Sequence, residues 1–190
     1  IADLAFKVVD VYRKIHGNTR GLRVNVSTST FVPKPHTPFQ WEPQISLSEI
    51  EKRQTFLKSL FRKRKNISYS WHEGLVSFLE AIFSRGDRRL GKVLKIAHER
   101  GCKYDGWDEF FDFNKWMMAF KEADISPDFY AYRNRSYEEI FPWDIINSGI
   151  SKSFLIREHK KAHQAKTTSD CRKQCHSCGI TKLGGGLCEN

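Results

Sequence analysis

Leu22-Arg23-Val24-Asn25-Val26 alternates apolar Leu22, Val24 and Val26 with Arg23 and Asn25, the two-residue period of a half-buried strand. Ile67-Ser68-Tyr69-Ser70-Trp71 reads as a second short strand. Between them Ser46-Leu47-Ser48-Glu49 has the form of a capping box. It opens a helix whose buried stripe is Ile50, Leu57, Leu60 and Phe61. Strand, helix and strand in this order argue for a parallel α/β start.

Outward from this unit the pattern becomes helical. Residues 2–15 carry Leu4, Ala5, Val8, Val9 and Val11-Tyr12 at helical spacing, and Gly17 stops them. Residues 74–83 are apolar nearly all round and predict a buried helix. Asp87 is the expected cap of a helix burying Leu90, Val93, Leu94 and Ala97 and ending at Gly101. Asp108 is the expected cap of a helix over 109–123. Ser151 or Ser153 opens a last helix to about residue 165. Trp107, Trp116 and Trp143 read as core, and Cys102 as structural. The expected division is 1–84, a helical extension over 85–166, and a cysteine-rich tail over 167–190.

The chain is basic, with a formal charge of +10 over 190 residues, and the charge is unevenly placed. Residues 151–183 hold eight Lys or Arg against Glu158 and Asp170. Arg62-Lys63-Arg64-Lys65 forms a second run at a helix end. Such patches favour polyanions, RNA above all, although cations at a helix C-terminus also complement the macrodipole. Lys152, Arg157, Lys160, Lys161, Arg172 and Lys173 are the candidate nucleic-acid contacts. Nothing near Ile1 resembles a signal peptide, and no apolar run is long enough to span a membrane. A reducing, cytoplasmic setting is expected.

Four of the five cysteines lie in the last twenty residues, as Cys171, Cys175, Cys178 and Cys188. C-x3-C-x2-C with a late fourth thiol suits tetrahedral zinc or an iron–sulfur cluster, and the spacing leaves the two open. Disulfides are disfavoured, because three of the thiols are too close together to staple distant segments. No Ser/His/Asp relay, zincin helix or phosphate-binding glycine loop is evident; Gly184-Gly185-Gly186 reads as a flexible tail. The loop Ser27-Thr28-Ser29-Thr30-Phe31-Val32-Pro33-Lys34-Pro35-His36-Thr37-Pro38-Phe39-Gln40-Trp41 follows a strand's carboxy end, where barrel folds build their active sites. Ser27, Thr28, Ser29, Lys34, His36 and His72 are therefore the candidates to face a substrate or cofactor. The alternative is that the prolines only stiffen the loop over Phe31, Phe39 and Trp41.

That loop resembles the one after a late barrel strand in radical S-adenosylmethionine (SAM) proteins, and is similar to the shorter proline-rich stretch of methylthiotransferases. Arg85-Gly86-Asp87-Arg88-Arg89-Leu90, Tyr104-Asp105-Gly106-Trp107, Phe141-Pro142-Trp143-Asp144 and the tail from Ser151-Lys152-Ser153-Phe154-Leu155 to Thr168-Ser169-Asp170-Cys171-Arg172 narrow the likeness. Together they resemble the carboxy-terminal half of a bacterial radical SAM family with an amino-terminal cobalamin-binding-type domain. The resemblance implies a partial (β/α)6 barrel in the parent protein. It also implies SAM and a [4Fe–4S] cluster there, held by a C-x3-C-x2-C loop before Ile1. The chain then supplies the last barrel elements, a mainly helical region and an auxiliary metal at the tail, and is inactive alone. With few strands and no initiator Met, it is expected to be a piece of a longer polypeptide whose upstream half is its partner. RNA or a ribosomal component is the leading substrate expectation. The alternative function is a non-catalytic, zinc-stabilised basic module that docks RNA or protein.

Overall fold

A computed structural model describes residues 1–184. The elements run α1 (Ala2–His16), β1 (Val24–Thr28), α2 (Leu47–Phe61), β2 (Ile67–Trp71), α3 (Gly74–Ser84), α4 (Leu90–Glu99), α5 (Phe113–Ala123), α6 (Pro127–Ala131) and α7 (Lys152–His163). A short 3-10 turn, Ile180–Leu183, follows. The class is α/β, with one two-stranded sheet among the described residues. No helix among them is long and apolar enough to cross a membrane. The chain divides into two compact units, Ile1–Val32 with Ile45–Glu80, and Pro33–Gln44 with Ala81–Asn190.

In the first unit β1 and β2 pair in parallel, with Val24 opposite Ile67 and Thr28 opposite Trp71. A parallel pair needs a crossover, and α2 supplies it. Ser46 caps α2 by accepting a hydrogen bond from the Glu49 amide at 3.2 Å. The Glu49 carboxylate turns instead to Arg53 at 2.7 Å, so the side chain serves an i,i+4 pair. Ala2, Ala5, Val9, Phe61 and Ile67 form the core, flanked by Leu57, Leu60 and Val26. The opposite stripe of α1, formed by Leu4, Val8, Val11 and Ile15, faces outward.

In the second unit Trp41, Phe141, Trp143 and Leu155 make one aromatic core. Trp143 stacks on Phe141 at 4.7 Å and donates its indole N–H to buried Gln40 at 2.9 Å. Around α4 and α5, Phe83 meets Trp116 edge-on at 5.3 Å, while Val93, Ala97, Ala119 and Phe120 are fully enclosed. Ser151 caps α7 and its amide donates to the Cys178 carbonyl at 2.8 Å. This brings 178–183 back over Gly149, where a Cβ would lie 2.6 Å from Ile180. Gly149 and Gly179 both have positive φ, so glycine serves this return twice over.

Two expected caps are corrected. Asp87 is not the N-cap of α4, which is Arg89; two residues earlier, its carboxylate accepts from the Arg89 amide at 2.9 Å as well as from the Arg89 guanidinium and the Tyr130 hydroxyl. Asp112, not Asp108, caps α5, accepting from the Asn114 and Lys115 amides. The aromatic residues before it, Trp107 and Phe110, lie in turns and are exposed, so Trp107 is not core. Trp116, Trp143 and Cys102 are buried as expected.

Candidate metal centre

The densest chemistry lies in the second unit, where the 33–44 loop meets α7. Helical spacing places His159 and His163 one turn apart on α7, so both imidazoles address one point. Glu42 reaches that point from the loop. Its Oε1 lies 2.7 Å from His159 Nε2 and 2.8 Å from His163 Nε2, and the two nitrogens are 3.2 Å apart. His159 is buried, whereas His163 has 59% of its side chain exposed. Behind the centre the Tyr137 hydroxyl lies 2.6 Å from His159 Nδ1. Trp41 packs against the same imidazole at 5.5 Å between ring centres.

The electrostatics follow from this packing. Burial works against ionisation of Glu42, but hydrogen bonds from His159 and His163 outweigh it and hold the carboxyl below its ordinary value. Burial, then the negative charges of Glu42 and Glu138, push the Tyr137 phenol up. Among the described residues this is the one group of three or more His, Cys, Asp or Glu side chains with ligand atoms within 4.8 Å of one another. Zinc bonds of about 2.0–2.1 Å at tetrahedral angles place neighbouring donors about 3.3 Å apart. The observed separations of 2.7 to 3.2 Å are a slightly contracted version of that edge. Two imidazoles and a carboxylate also match the donor preference of zinc, and three ligands leave a fourth position open.

The described part of the cysteine tail, residues 171–184, does not present such a centre. Cys171 and Cys175 are exposed and Cys178 is half-buried, all as thiols. The three do not gather within ligand distance of one another. Cys188, the expected fourth ligand, lies outside the described residues.

The substrate-facing candidates fall in both units. Ser27 and Ser29 are exposed at the end of β1, and exposed His72 follows β2. Thr28 has a structural task, with its hydroxyl 2.9 Å from the Tyr69 hydroxyl. In the second unit Lys34 is half-buried, and His36 lines a cavity of about 330 Å³ with Gln40, Asp144 and Lys152. Of the six cations proposed for nucleic acid, three already face carboxylates: Lys152 with Asp144 at 3.7 Å, Lys161 with Glu158 at 3.0 Å and Arg172 with Asp170 at 2.6 Å. Arg157 donates to the His176 carbonyl, and Lys160 sits over the Tyr137 ring at 5.4 Å. The exposed residue Lys173 belongs to the tail turn.

Sequence reasoning passed over Glu42, His159 and His163. One signal was present, in His159-Lys160-Lys161-Ala162-His163, an i,i+4 histidine pair with lysine where a zincin helix has glutamate. No spacing rule links it to Glu42, 117 residues earlier.

Acid should destabilise this unit. Hydrogen bonds from Arg89 hold Asp87 below the usual carboxylate range, and those from Arg133 do the same for Glu139. A folded-state value below the unfolded one means each carboxylate stabilises the fold above about pH 4, and that this is lost as pH falls further. The urea midpoint should hold between about pH 7 and 5 and drop below about 4. A midpoint that rises on acidification would contradict the pairing.

No family model, curated protein or solved structure matches the chain.

Proposed function

We propose that the chain is the carboxy-terminal part of a radical SAM iron–sulfur enzyme, to which it contributes late barrel elements and an auxiliary metal site. The observation that carries this reading is the parallel β1–α2–β2 unit, which stands as a two-stranded sheet. Two parallel strands are too few to be stable alone, and parallel sheets are ordinarily covered on both faces. The outward stripe of Leu4, Val8, Val11 and Ile15 is the kind of surface that preceding barrel elements would cover. The ordered motifs from the 27–41 loop to Cys171 support the same assignment.

In this proposal SAM and its [4Fe–4S] cluster belong to the upstream half, which supplies the 5′-deoxyadenosyl radical that modifies a substrate such as RNA or a ribosomal component. This chain's own metal is zinc at Glu42, His159 and His163, where it ties the 33–44 loop to α7. The gene tests the assignment directly. Its coding sequence before Ile1 should contain a C-x3-C-x2-C loop, and protein made from the whole gene should release 5′-deoxyadenosine from SAM under reduction. A reading frame that opens just before Ile1, or a whole protein with no cluster motif, would overturn it.

A second reading, a zinc-stabilised module docking RNA, is favoured by one feature of the first unit. Lys58, Arg62, Arg64 and Lys65 line a concavity of about 420 Å³ floored by Tyr69 and Trp71, with Lys58 Nζ 5.0 Å from the Trp71 ring centre. Cations interleaved with aromatic faces suit single-stranded RNA.

A further inference from the structure

We propose that a second site in the carboxy-terminal unit binds a phosphate group, in the cavity formed by the 85–89 turn, α6 and the 133–143 segment. The cavity is about 210 Å³, and Arg85, Asp87, Arg89, Arg133, Arg135 and Glu139 supply its charge. Two of the four guanidiniums have carboxylate partners: Arg89 grips Asp87, and Arg133 grips Glu139 in a two-pronged pair. The other two do not. Arg85 and Arg135 are 2% and 7% exposed, and they donate to backbone carbonyls instead. Arg85 serves Glu42 and Ala131, and Arg135 serves Tyr130 at 2.7 Å. The cavity wall thus carries two buried positive charges in excess, an expensive arrangement without a counter-charge.

Donors remain to be used as well. Arg85 Nε and Arg133 Nε are buried and make no hydrogen bond among the described residues. A phosphate monoester or inorganic phosphate carries about −1.5 to −2 near pH 7 and so matches the excess, while a carboxylate would leave one charge uncompensated. Residues from two stretches far apart in sequence meet at this cavity, Arg85, Asp87 and Arg89 from the first and Phe141, Pro142 and Trp143 from the second. The first turns tightly at Gly86, where a Cβ would lie 2.1 Å from Leu90 Cδ1 and 3.1 Å from the Ile82 carbonyl.

The test is calorimetric titration of the chain with inorganic phosphate, after passage over a chelating resin so that no metal is the acceptor. Acetate and chloride at equal ionic strength are the comparisons. Ile140 lines the cavity and is 85% exposed, so Ile140→Glu adds a negative charge at the rim without disturbing the buried arginines. Saturable phosphate binding is expected, weakened at least about tenfold in Ile140→Glu by like-charge repulsion. Glycerol phosphate competing for the site would identify a phosphomonoester as ligand, and failure to compete would identify free phosphate. The proposal is overturned by an absence of saturable binding, by equal affinity in Ile140→Glu, or by acetate binding as tightly as phosphate.

Discussion

Replacing His163 by alanine is expected to take zinc binding from one ion per chain to none, while the fold survives. His163 sits at the exposed end of α7, and its imidazole meets His159 and Glu42. Removing it deletes a ligand without opening a cavity. Glu42→Gln should act similarly, since the amide keeps the shape and loses the charge that attracts a cation. Tyr137→Phe should weaken binding by about 10–100-fold, the usual worth of an outer-shell partner that orients a ligating imidazole. Zinc binding would need His159 to give up the Nε2 proton that it otherwise donates to Glu42 and to keep Nδ1–H, donated to the Tyr137 oxygen, so Tyr137 favours the ligating tautomer. Equilibrium dialysis with metal analysis reads all three variants. An unchanged ion count in His163→Ala would remove the centre from the account.

The second large effect is on stability. Phe141→Ala should cost about 3–5 kcal/mol in urea unfolding, the range for deleting a large buried aromatic side chain. Phe141 is 2% exposed, stacks on Trp143 and reaches Trp41 at 6.3 Å. Lys152 Nζ lies 5.3 Å above its ring. Trp41 in turn packs against His159, so loosening this cluster should also disturb the Glu42–His159–His163 group. A loss below about 1 kcal/mol, the size of an ordinary surface change, would mean that this cluster is not the core of its unit.

The βαβ start was legible because alternation and capping are local. Ile67–Trp71 is the second strand as expected, and Ser46 caps the helix it was expected to open. The first strand came out as Val24–Thr28, two residues later than its alternation suggested, because the backbone pairs with β2 as far as Trp71. Asp87 and Asp108 misled because a capping residue type before an apolar run says nothing about stronger partners. Asp87 found Arg89 and Tyr130, and Trp107, expected in the core, lies exposed in a bend. The candidate metal centre was half visible, as two histidines one helical turn apart. Its third ligand was not, since only tertiary folding brings the 33–44 loop to α7. Cysteine spacing drew attention to the tail, whereas the folded chain gathers nitrogen and oxygen donors elsewhere.

Cobalt substitution separates these two sets of ligands most directly. Co(II) should be added to the metal-free chain and to a variant with Cys171, Cys175 and Cys178 all changed to serine, and the visible and near-ultraviolet spectra recorded. The account expects identical spectra for the two, with the d–d bands of a nitrogen- and oxygen-bound ion and no sulfur-to-cobalt charge-transfer band. A charge-transfer band that vanishes with the cysteines would contradict it and return the metal to the tail.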